Sequence, residues 1–154
     1  MRKSLFILFF SLVVLFTFFT LQYFGVTSVG LRIGFQTIRK GTRGGKDSGY
    51  YVIQNAERWN EICKSVFPPD AVPEINFSNT TVIAVFMSLR PTAGYAIEVK
   101  EITDTIFRVV VKVAWVTPGG KIVPQILTSP YHIIKTQKIN KPITFQTIWE
   151  THDC

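Results

Sequence analysis

Between Lys3 and Arg32 the chain carries no charged residue, and most of that stretch, SLFILFFSLVVLFTFFTLQYFG, is apolar. A helix crosses a bilayer with roughly 20 such residues, whereas a cleaved secretory signal has an apolar region of about 7–15 and a small-residue cleavage site. Here the run continues past Phe19, and FGVTSVG is a poor match to a small-x-small site. The expectation is therefore an uncleaved signal anchor ahead of a cleaved signal peptide over 1–30, followed by one exported domain over 31–154. A lipoprotein anchor is not expected, because no cysteine follows the apolar run; the cysteines are Cys63 and Cys154.

Arg2 and Lys3 favour a cytoplasmic N-terminus, while Arg32, Arg39, Lys40, Arg43 and Lys46 on the other flank oppose it. The length of the apolar signal keeps export ahead. The domain is expected on the outer face of the membrane, or secreted if the segment is removed. Asn76-Phe77-Ser78 and Asn79-Thr80-Thr81 have the glycosylation pattern that an exported domain would carry, so Asn76 and Asn79 are candidate acceptors. The chain has a formal charge of +7. The basic strip from Arg32 to Lys46 reads either as a polybasic contact with anionic lipid or an acidic partner or, preferably, as a solvated, mobile juxtamembrane loop. Nucleic acid is not an expected partner, since no binding motif accompanies the strip. GTRGGKDS fails the phosphate-loop spacing because Asp47 follows Lys46.

Hydrophobic periodicity organises the remainder. LRIGFQTIRK (31–40) reads as a strand with Ile33, Phe35 and Thr37 on one face, 41–49 as a flexible connection, and YYVI (50–53) as a second strand. Ala56, Trp59, Ile62, Cys63, Val66 and Phe67 then recur at helical spacing, with Asn55 as N-cap and Pro68-Pro69 as the stop. TTVIAVFMSL (80–89) has a continuous apolar core, as a strand covered on both faces would. YAIEVKEI and TIFRVVVKVAWV alternate, and KIVPQILTSP, YHIIKTQKI and PITFQTIWE complete a set of strands. The expected fold is mainly β with one helix, a single antiparallel sandwich-like domain of about 120 residues, large enough for its own core.

No constellation in the sequence suggests catalysis. His132 and His152 are isolated, no CxxC or HExxH spacing exists for a metal, and the acids are scattered. His132, in YHIIK, reads as a satisfied strand histidine rather than a base. Ser129 lacks a nucleophile-elbow setting. No enzyme activity, catalytic residue, metal or cofactor is expected. Cys63 and Cys154 suit a disulfide outside the cell, and Cys63 equally suits a buried free thiol on the helix.

TTVIAVFMSLRPTAGYAIEV, the Pro-Gly turn, ILTSPYHIIK and KPITF together resemble the C-terminal domain of the PrcB family, and the upstream YYVIQNAERWNEI is similar as well. The resemblance spans roughly 35–148, with Ala93 standing where that family more often has Gly. It implies a non-catalytic companion that stabilises a secreted protease complex. RPTAGY also resembles, more weakly, a loop of chagasin-like inhibitors, immunoglobulin-like sandwiches that insert loops into the cleft of cysteine proteases. Arg90 and Ala93 depart from that motif.

Pro91 fixes its own backbone and Gly94 permits a positive φ, so the Arg90-Pro91-Thr92-Ala93-Gly94-Tyr95 turn is stiff before any partner arrives. The expectation is a membrane-anchored, non-enzymatic domain that binds another protein, plausibly a protease, which it stabilises or inhibits. Docking is expected through Arg90–Tyr95, with Pro118-Gly119-Gly120 and Ser129-Pro130-Tyr131 alongside. The alternative is a structural cell-envelope subunit in which these turns only close the fold.

Overall fold

The computed structural model describes residues 30–45, 48–68, 71–120 and 122–151. The segment expected to form an anchor, His152 and Cys154 lie outside the described residues. Among those described, no helix is long and apolar enough to cross a membrane.

Eight strands and one helix follow in the order β1 (Leu31–Arg32), β2 (Phe35–Gly41), β3 (Gly49–Ile53), α1 (Ala56–Val66), β4 (Thr80–Phe86), β5 (Ala96–Asp104), β6 (Val109–Thr117), β7 (Tyr131–Gln137) and β8 (Ile143–Thr151). They form two four-stranded sheets, β1-β5-β6-β8 and β2-β7-β4-β3. Ile83, Val85, Ile97, Val99, Ile102, Val111, Val113 and Ile134 fill the space between the sheets. Helix α1 covers the outer face of the second sheet, where Trp59, Ile62, Cys63 and Val66 meet Val82, Ala84, Phe86 and Ile133. Strand β4 thus sends alternate residues into two cores, which is why its sequence is apolar without a period.

The helix begins where expected: Asn55 Oδ1 accepts from Arg58 N–H at 2.9 Å. It stops because Phe67, forced out of helical geometry by the following Pro68, takes φ −118° and ψ 144°. Phe67 is half-buried and Ala56 exposed, so the buried stripe is narrower than the periodicity suggests.

Three expectations are corrected. The first sheet is mixed, because β8 pairs with β6 in parallel from Val109↔Ile143 to Thr117↔Thr151. Strand β7 ends at the edge of the domain where β6 begins, and the short 138–142 connection cannot carry the chain back to the other end before β8 starts. Residues 31–40 are two strands rather than one. β1 pairs with β5 in the first sheet, and the chain crosses at Ile33–Gly34 to pair β2 with β7 in the second. Finally, 122–130 is a loop with single bridges at Thr128 and Ser129, not a strand. Pro124 has no N–H to give a ladder.

Of the basic strip, Arg32, Arg39 and Lys40 stand in strands rather than in a loop. Arg32 Nε lies 3.0 Å from Glu101, and Lys40 pairs with Glu98. Arg39 Nε donates to Tyr131 Oη at 2.9 Å while its guanidinium lies over the Phe67 ring. Lys46 and Asp47 lie outside the described residues.

Candidate functional site

The Arg90–Tyr95, Pro118–Gly120 and 122–131 segments meet at one end of the sandwich. Arg90 and Thr128 exchange backbone hydrogen bonds, at 2.7 Å from Arg90 N–H and 3.0 Å from Thr128 N–H. Thr128 Oγ1 donates to Thr92 O at 2.9 Å, and Ala93 N–H donates to Pro124 O at 3.0 Å. Gly94 has φ +87°, and a Cβ there would lie 2.7 Å from Pro118 Cβ and 3.2 Å from Val123 Cγ1. Only glycine fits a backbone that is both left-handed and pressed against a neighbouring turn. Gly119, at φ +63°, completes the Pro-Gly turn as expected.

Arg90 holds the rim to the sheets. Its guanidinium lies 5.3 Å from the centroid of Tyr95 and 5.4 Å from that of Trp115. Its Nε is buried with no hydrogen-bond partner among the described residues, and the two ring faces favour the guanidinium charge. Trp115 in turn donates from Nε1 to Tyr50 Oη at 2.8 Å and meets the exposed Trp149 edge-on. Tyr95 is half-buried against the inter-sheet core, an anchor of the loop to its own domain.

The expected docking residues divide by exposure. Pro91, Gly119 and Gly120 are exposed, while Thr92, Ala93, Gly94, Tyr95 and Pro118 are half-buried. Ser129, Pro130 and Tyr131 are buried. Ser129 N–H donates to Thr42 O, Ser129 O accepts from Gly44 N–H, and Met87 N–H donates to Pro130 O. This third turn therefore supports the rim from beneath and offers a partner no surface.

Apolar side chains that the sequence reading placed in a strand stand on the same rim. Leu89 is 64% exposed, Ile126 54% and Leu127 63%, and Ile122 is fully exposed. The signal for them was Pro124, which interrupts the apolar run and turns it into a loop. Exposed apolar groups clustered around a rigid turn are the ordinary make-up of a protein-binding surface.

Residues 81–137 match the PrcB C-terminal family model. The PrcB-like segment runs from β4 to β7 and contains every rim residue from Leu89 to Tyr131. It is shorter than the 35–148 span of the sequence resemblance, and β2, β3 and α1 lie outside it. No curated protein and no solved structure matches the chain.

The remaining candidates are placed as follows. His132 is buried between the sheets. Its Nδ1 accepts from Val99 N–H at 3.0 Å, beside the bulge that breaks the alternation of β5, and its Nε2 lies 2.9 Å from Thr37 Oγ1. An acceptor Nδ1 requires the neutral ring with its proton on Nε2, shared with the Thr37 hydroxyl. Burial, with a smaller contribution from Lys40, lowers its pKa from 6.5 to about 4. Cys63 is buried, and burial pushes its thiol up to about 11. Asn76 and Asn79 are exposed. Glu98 is held below the usual carboxylate range by Lys40 and Lys100 against the opposing effect of burial. Among the described residues no group of His, Cys, Asp or Glu is arranged to hold a metal ion.

Proposed function

We propose that this chain is a non-catalytic protein-binding domain, held at a membrane by its N-terminal segment, that docks a protease or a protease-complex subunit on the loop rim. The family match supports the class of partner. The observation that carries the reading is the convergence of two stiff turns with Leu89, Ile122, Ile126 and Leu127 at one end of the sandwich. Pre-ordering by Pro91, Gly94 and the Thr128 hydrogen bonds lowers the entropy lost on docking. The docking surface is then Leu89, Pro91, Thr92, Gly119, Gly120, Ile122, Ile126 and Leu127, with Tyr95 and the Ser129–Tyr131 turn beneath it. The likeness to chagasin-like inhibitors is the weaker resemblance, with Arg90 and Ala93 departing from its motif, so stabilisation of the partner is the preferred consequence.

The test is a cross-linked pull-down of tagged full-length protein from its own membranes, with Leu89→Asp/Leu127→Asp as the comparison. Both residues are exposed, so the variant keeps its fold, checked by thermal melting. Recovery of a protease by the wild type and its loss from the variant supports the reading. Equal recovery from both removes the rim as the docking surface and leaves the structural envelope subunit.

A further inference from the structure

The opposite end of the sandwich carries a second group of apolar side chains that the core does not use. The β5–β6 hairpin turns through Ile106 and Phe107. Thr105 N–H donates to Arg108 O at 2.9 Å, and Thr105 Oγ1 donates to the same oxygen at 2.6 Å. Tight hairpin turns normally carry Asn, Asp or Gly, which suit both the backbone and the water around it. Here Ile106 is 81% and Phe107 82% exposed, and Leu31, whose backbone pairs with Asp104, is 80% exposed. The closed turn orders the tip without covering it.

Arg32 and Arg108 adjoin Leu31 and Phe107 in sequence, and Lys141 Nζ donates to Thr105 O of the hairpin at 2.9 Å. Arg32 pairs with Glu101 and Lys141 with Asp104, while Arg108 makes no ion pair among the described residues. An apolar tip with basic groups beside it, Arg108 among them, is the composition that partitions into the interface of an anionic bilayer, the apolar part entering and the cation meeting headgroups. Leu31 also directly follows the long uncharged segment, so the chain enters the fold beside this tip.

We propose that Ile106 and Phe107 insert into the interfacial layer of an anionic membrane next to the point where the N-terminal segment enters it. This rests on the membrane anchoring proposed above. Two attachments fix the orientation of the domain where one would leave it free to swing. With β6 standing between them as a 9-residue strand, the loop rim is held about 30 Å from the tip, facing away from the lipid.

Full-length protein reconstituted into phosphatidylcholine vesicles with and without phosphatidylglycerol tests this. Flotation reports the anchor, and quenching of a new tryptophan by brominated lipid reports the tip. Wild type floats with both vesicles. The additional emission of Phe107→Trp falls roughly twofold in brominated anionic vesicles, as expected for a group a few ångströms inside the headgroup layer, and that of Leu127→Trp is unchanged. If the protein floats and Phe107→Trp is unquenched, the tip does not insert although the anchor stands. Equal quenching of both tryptophans overturns the orientation. Failure of the full chain to float overturns the anchoring and this inference together.

Discussion

Acidification should loosen the two sheets from one another through His132. The ring is neutral because Nδ1 receives the Val99 N–H, and protonation would set two N–H groups against each other in a buried site. In the unfolded chain the imidazole takes up its proton near 6.5, and in the folded domain only near 4. Stability is therefore fully present above pH 6.5 and is lost as pH falls towards 4. The shift corresponds to a limit of about 3 kcal/mol, of which about 2 kcal/mol is gone by pH 5. Glu98 works in the same direction, but its folded pKa lies below the ordinary carboxylate value of 4.5, so the interval from pH 7 to 5 mainly reports the histidine. The assay is urea unfolding of the full chain in detergent micelles at several pH values, with the imidazole carbon resonance followed by NMR in parallel. His152→Gln removes the second histidine signal. His132→Leu should lower stability at neutral pH by about 1–3 kcal/mol, since Val99 N–H loses its acceptor, and should flatten the pH dependence. A wild-type stability that stays level from pH 7 to 5, or a His132 resonance titrating near 6.5, would refute the argument.

Two further outcomes follow from the geometry. Gly94→Ala should cost about 1–3 kcal/mol, because the residue would combine a left-handed backbone with a methyl pressed on Pro118; a thermal melt within a degree of wild type would contradict this. Cys63 should resist thiol reagents at pH 8 in the folded protein and react once urea exposes it, since its thiol is buried with a pKa near 11; rapid labelling of the native protein at Cys63 would show that the helix face opens readily.

The sequence was informative wherever the local pattern alone sets the burial of each residue. The period of α1, its Asn55 cap, the doubly covered β4 and the Pro118-Gly119 turn were all legible because local chemistry and tertiary packing agree there. It was least informative where the chain changes sheets. Nothing local in LRIGFQTIRK marks Gly34 as a crossing, and nothing in PITFQTIWE says that β8 runs parallel to β6, because both depend on partners distant in sequence. The strict alternation read in YAIEVKEI fails after Val99, where a bulge carries Ile102 into the core. The rim was half legible. Its two stiff turns are visible in the sequence, but the apolar side chains on its surface have the pattern of a strand, and Ser129–Tyr131, a turn by its sequence, is buried beneath them.

The pairing of β2 with β7 has a consequence in time. Thr37 lies opposite Ile134, and Gly41 opposite Tyr131. Strand β2 therefore has no partner until nearly the whole domain has been made. The second sheet cannot close before β7 arrives, nor the first before β8. Such long-range pairing is slow to form and leaves bare strand edges while it waits. The β3–β4 and β5–β6 pairs, each between strands consecutive in sequence, can form earlier, so the closing of the two sheets is the last event of folding.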